Sequence, residues 1–124
     1  MKMTAKIAAL LLMVVLISAT APRAHAEDRT FTVVAEQVGK SKFWFPSNIM
    51  VNQGDKVKLV LKNDIEGADI THGFALDGYG IKEVVTRGVP KEVTFTADKP
   101  GIFPYYCQLH PAHIGGELLV IPSK

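Results

Sequence analysis

Cys107, His110 and His113 follow one another at three-residue intervals in the segment PYYCQLHPAHIGGELLVI, and Cys107 is the single cysteine of a 124-residue chain. A thiolate is a soft donor and an imidazole a borderline one, so this trio suits copper or zinc and not magnesium or calcium. A lone cysteine cannot close an internal disulfide, which leaves an inert buried thiol, a bond to another molecule, or a metal ligand. Two histidines on the same short segment favour the ligand. A fourth donor has to come from elsewhere, and the candidate is His72 in GADITHGFALDGYG, 35 residues before Cys107. A lone loop histidine is most often only hydrogen-bonded, and that alternative stands beside the ligand reading. As a ligand, His72 would complete a set of one cysteine and three histidines.

The elements that position these donors come after a leader. The opening residues MKMTAKIAALLLMVVLISATAPRAHA begin with Lys2 and Lys6, pass through an uncharged apolar run and end on Ala24-His25-Ala26. That is the pattern of a secretory signal peptide, cleaved after Ala26. A membrane span needs about 20 apolar residues, and this run is shorter, so no span is expected after cleavage. The expectation is a signal peptide over residues 1–26, one exported domain over 27–124 and a periplasmic location. Lys2, Lys6 and Arg23 leave with the leader while all 12 acidic residues remain, which turns the formal charge of +2 into −1. The basic character therefore belongs mostly to the leader, and a nucleic-acid partner is not expected.

Beyond the leader the apolar period is two. TFTVVAE places Phe31, Val33 and Ala35 on one face, KVKLVLKN sets Val57, Leu59 and Leu61 opposite Lys56, Lys58 and Lys62, and EVTFTAD repeats the pattern with Val93, Phe95 and Ala97. ELLVI is apolar on both faces and reads as a central strand. Turn signals at NQGD, EGAD, DGYG, ADKPG and Gly115-Gly116 separate these runs. The spacing predicts an all-β, two-sheet antiparallel sandwich. GIFPYYC is then a strand ending on Cys107. Pro111 and the glycine pair leave no room for more than a single helical turn before the next strand. A short loop held by sheet at both ends can aim several side chains at one ion.

The histidine opening a middle strand, the strand ending in cysteine and the histidine three residues on resemble the cupredoxins, small copper β-sandwiches that carry single electrons. FPSNIMVNQGDKVKLVLKN, THGFALDGYGI and VTFTADKPGIFPYYC resemble cupredoxin segments, including those of cytochrome oxidase subunit II and nitrous oxide reductase. The resemblance covers nearly all of residues 31–121 and implies a Greek-key sandwich with one copper, Cu(II)/Cu(I), held by His72, Cys107, His110 and His113. Departures from the pattern are informative. Dinuclear copper domains place two cysteines on this loop, and here there is one. Blue copper proteins of the amicyanin kind have Cys-x2-His-x2-Met, and His113 stands where that methionine would fall. FTADKPG and CQLHP are similar to nitrosocyanin, a red copper protein, which has a glutamate at the position of His72.

Two function classes follow. In one, the protein carries electrons between periplasmic or membrane redox proteins; in the other, an open copper position binds a small molecule such as nitric oxide. A fourth protein donor in His72 favours the first, because a filled shell leaves substrate no place. A copper carrier is a weaker reading, since the one methionine beyond the leader, Met50, sits in a strand pattern. Zinc would compete at the same donors. Phe43, Trp44 and Phe45 are read as packing, and Lys56, Lys58 and Lys62 as a solvated strand face. Asp69, Asp77 and Glu83 lie near His72 in sequence, but no paired-carboxylate or nucleophile-base arrangement supports hydrolysis.

Overall fold

Val57, Leu59 and Leu61 alternate with lysines in KVKLVLKN, the period of a strand with one buried face. In the computed structural model, which describes residues 25–124, these three side chains are buried and Lys56 and Lys62 are exposed. The expected leader, residues 1–26, lies almost wholly outside the described residues. Among the described residues no helix is long and apolar enough to cross a membrane.

The strands are β1 (Asp28–Val38), β2 (Ser41–Phe45), β3 (Asn48–Asn52), β4 (Lys56–Asn63), β5 (Thr71–Leu76), β6 (Ile81–Thr86), β7 (Lys91–Thr96), β8 (Gly101–Tyr105) and β9 (Gly116–Ile121), with one 3-10 turn at Asp77–Tyr79. One sheet runs β2-β1-β4-β7, a second runs β3-β9-β8, and β5 and β6 form a hairpin. Val33, Trp44, Ile49, Leu59, Leu61, Phe74, Tyr105 and Leu118 fill the space between them. Each side chain of this size contributes about 1.5–3 kcal/mol when fully buried, so the sandwich, not the ligand loop, carries the fold.

The all-β sandwich is as expected, with a difference in strand direction. β1 pairs with β4, and β3 with β9, in parallel; the other pairings are antiparallel. A parallel neighbour requires a crossover, and β2 and β3 supply one by carrying the chain to the second sheet before β4 returns. ELLVI is indeed central, with β3 and β8 on either side. Its Leu118 and Val120 are buried while Ile121 faces solvent, so only one of its apolar faces meets the core.

Three anchors set the frame around the site. The buried Asp55 accepts the backbone N–H groups of Glu27 and Asn52, both at 2.9 Å, and fixes the turn before β4 to the start of β1. At the other end of β4 the buried amide of Asn63 donates to the carbonyls of Ile70 and Val85 and accepts the N–H of Ile65. That amide, with Arg87 donating to the carbonyls of Ile65 and Gly67, holds the 64–70 loop and hence the entry to β5. Finally, β8 ends at Tyr105, and Tyr106 leaves β9 to exchange two backbone hydrogen bonds with Ala75 of β5. Cys107 is therefore not the last residue of a strand, as the sequence pattern predicted. It is the first residue beyond that bridge, because the chain must part from β9 to open the loop.

Candidate metal centre

The loop that carries Cys107, His110 and His113 is pinned immediately outside its first and last donors. Tyr106 is bonded to β5 before Cys107; after His113, Ile114 donates to the carbonyl of Lys42 at 2.8 Å and accepts from the N–H of Trp44 at 3.1 Å. Gly115 closes the loop against backbone: a Cβ there would stand 2.3 Å from the Tyr105 carbonyl oxygen, so any side chain would force the strands apart. Inside the loop, His110 donates its N–H to the Cys107 carbonyl and His113 its N–H to the His110 carbonyl. These turns bring donors at spacing three to the same side. The fourth donor, His72, is the second residue of β5, the strand that also clamps Tyr106.

The structure brings all four of these side chains together. One donor atom from each of His72, Cys107, His110 and His113 lies within 4.8 Å of the others. Nδ1 of His113 is 3.2 Å from Nδ1 of His72, and Nδ1 of His110 is 3.3 Å from the Cys107 sulfur. Imidazole and thiolate donors at about 2.0–2.3 Å from one first-row ion stand roughly 3.3–3.7 Å apart in a tetrahedron, close to these two separations. His72, Cys107 and His113 are buried, whereas the His110 side chain is 30% exposed.

The electrostatics agree with that fit. Burial, reinforced by the neighbouring His113 and His110, pushes His72 down from 6.5 to about 4. Burial also pushes His113 down, and the Phe43 carbonyl opposes this only partly. Both rings are therefore neutral near pH 7, with lone pairs free to bind metal. Their Nε2 atoms are buried without hydrogen-bond partners. The Cys107 sulfur accepts the backbone N–H of Gly73 at 3.1 Å. The far ring nitrogen of His110 contacts the carboxylate of Asp69.

A family model described as a cupredoxin-like domain matches residues 6–120. The chain belongs to the cupredoxin-like family. Nitrous-oxide reductase of Cupriavidus necator is 41% identical over 66 residues, and that of Stutzerimonas stutzeri 34% over 77. These alignments cover 52% and 59% of this chain but 10% and 12% of the enzymes, so the cupredoxin spans about a tenth of the length of the curated relatives it matches. Among solved structures, a copper nitrite reductase from Nitrosomonas europaea superposes with a TM-score of 0.64 at 22% identity, over 77% of this chain and 42% of that one. A copper-containing nitrite reductase from Thermus scotoductus gives 0.63 at 24%, over 78% and 28%. At these identities the likeness is one of fold. Family and donor set together make this a cupredoxin whose cysteine and three histidines are positioned for one copper ion.

Two residues near this centre were undervalued in the sequence. Trp44, read there as packing, does pack: it is fully buried, but its ring also stacks on His113 with centroids 5.6 Å apart, and its Nε1 donates to the Gly73 carbonyl at 3.0 Å. Asp69 was weighed as an acid-base group and set aside. Its Oδ1 accepts the N–H of Thr71 at 3.3 Å, a local turn that the Asp-x-Thr spacing would have revealed; its reach to His110 had no local signal.

Proposed function

We propose that this cupredoxin is an exported, mononuclear copper protein that takes one electron from a redox partner and passes it to another, with His72, Cys107, His110 and His113 as ligands. The observation that carries the reading is the convergence of four donors, three of them buried, on one point framed by sheet. Copper there would supply a Cu(II)/Cu(I) couple. The residues do the rest. The anchored loop keeps the donors in nearly the same place in both oxidation states, the Gly73 N–H holds the sulfur by a hydrogen bond, and the neutral imidazoles of His72 and His113 need lose no proton to bind. Ile70, Leu109 and Ile114, each next to or within two residues of a site residue, expose apolar side chains that a partner protein could cover. Those partners are periplasmic or membrane redox proteins.

The test is to load residues 27–124 with Cu(II) and record the visible and electron paramagnetic resonance spectra, then add nitric oxide or azide. One copper per chain with an intense sulfur-to-copper band, unmoved by either addition, is expected. A spectrum remade by the added ligand would mean an open position and a small-molecule role, and a colourless loaded protein would remove the thiolate from the site.

A further inference from the structure

Of the three histidines at the centre, His110 alone has its outer ring nitrogen partnered: Nε2 of His72 and of His113 have no hydrogen-bond partner, while Nε2 of His110 meets the carboxylate of Asp69. An ionised carboxylate has only lone pairs to offer. The proton shared between the two groups is therefore the ring's, which leaves Nδ1, 3.3 Å from the Cys107 sulfur, with its lone pair directed into the cluster.

Asp69 is not a loose surface acid. Its second oxygen accepts the N–H and the hydroxyl of Thr71 at 3.3 and 3.4 Å. The residues on either side are fixed as well: the Ile70 carbonyl accepts from Asn63 and from the N–H of Arg87, and Thr71 is paired with Thr86 across the β5–β6 hairpin. The segment that presents His72 thus also presents, three residues earlier, a carboxylate to a histidine on the other ligand segment.

We propose that Asp69 is a positioning residue of the metal centre, whose carboxylate accepts the Nε2–H of His110, fixes Nδ1 as the atom facing the metal and strengthens it as a donor. The proposal rests on the copper reading above. A carboxylate on the far N–H draws the ring toward imidazolate character, and partners of this kind commonly alter metal affinity by about 10–100-fold when removed. A more basic imidazole favours Cu(II) over Cu(I), so Asp69 lowers the reduction potential. With both side chains partly exposed, at 30% for His110 and 45% for Asp69, the effect belongs at the low end, about tenfold.

Two measurements test this. In the metal-free protein, nitrogen-15 spectra of the His110 ring, taken with the ring neutral, are expected to show the Nε2–H tautomer in the wild type and a shift toward Nδ1–H in Asp69→Ala. Wild-type protein with the proton on Nδ1 would overturn the proposal, whether or not copper binds. In the copper protein, Asp69→Asn is expected to raise the potential by a tenfold change in Cu(I) over Cu(II) preference, about 59 mV for one electron. Glu66→Gln, which removes a charge from the same exposed loop, is expected to leave it unchanged. An unshifted Asp69→Asn, or an equal shift in Glu66→Gln, would reduce Asp69 to a surface charge. Failure of the wild type to take up copper would instead defeat the ligand assignment, and the tautomer measurement would still decide the role of Asp69.

Discussion

Acidifying the metal-free protein from pH 7 to pH 4 is expected to weaken the fold through its buried histidines before its carboxylates titrate. His72 is fully buried, and in the folded chain its ring takes up a proton only near pH 4, against 6.5 for an ordinary histidine. Between those values the unfolded chain binds a proton that the folded chain refuses, so stability present in full above pH 6.5 declines as pH falls and stops declining through this group near pH 4. The gap between about 4 and 6.5, at 1.36 kcal/mol per unit, amounts to about 3 kcal/mol. His113, pushed in the same direction by burial, adds to the loss. For a domain of about 100 residues, 1 kcal/mol moves the melting temperature by roughly 4–8 °C, so a drop of more than 10 °C is expected. Urea unfolding followed by circular dichroism at pH 7, 6, 5 and 4.5 measures the slope, and His72→Gln is expected to flatten it. A stability unchanged between pH 7 and pH 5 would refute the reasoning, because it would mean that these rings are either already charged or accessible to water when folded.

Cys107→Ser is expected to bind copper more weakly and without the sulfur-to-copper band, and titration of the wild type to give one copper per chain; colour in the variant, or two coppers, would contradict the assignment. His113→Met exchanges a strong imidazole donor for a weak thioether and is expected to raise the potential by at least the 59 mV that corresponds to a tenfold change in relative affinity, read by redox titration; no change would place His113 outside the ligand shell. Burial works against the charge of Asp55, but the N–H groups of Glu27 and Asn52 and the nearby Arg29 outweigh it and hold its carboxyl below the usual range. Its stabilising share is therefore present above the ordinary carboxylate value of 3.8 and lost as pH falls below it. Asp55→Asn, which must give up one of these acceptor contacts, is expected to lower stability by about 1–3 kcal/mol at pH 7, measured by chemical denaturation.

The parts of this fold that were legible in the sequence are those governed by near neighbours. Alternation in KVKLVLKN marks a strand with one buried face whatever lies beside it, and Cys107, His110 and His113 signal their common purpose because turns at spacing three bring them to one side of a loop. Strand direction was not legible: the side-chain period of two is the same in parallel and antiparallel pairs, so nothing in β1 or β4 announced that they run together. The end of β8 was missed for a related reason, since Tyr106 looks like more strand until β5 is known to take over its hydrogen bonds. His72 was found because its residue type was scarce, not because its neighbours pointed to it. The contact of Asp69 with His110 crosses 41 positions of chain, a distance over which only the folded arrangement of β5 and the loop brings two side chains together.

The position of Trp44 gives the molecule a built-in optical reporter. It is the single tryptophan of the chain, it is fully buried, and its ring lies flat on that of His113. Two properties of its fluorescence are thereby separated. The emission wavelength follows the apolar packing around the indole and changes only when the core opens, while the intensity would respond to a metal bound beside His113. Copper at that distance would quench the emission and zinc would leave it bright, so one cuvette distinguishes the copper-filled protein from the empty or zinc-filled one. It also distinguishes loss of metal from loss of fold, without any label.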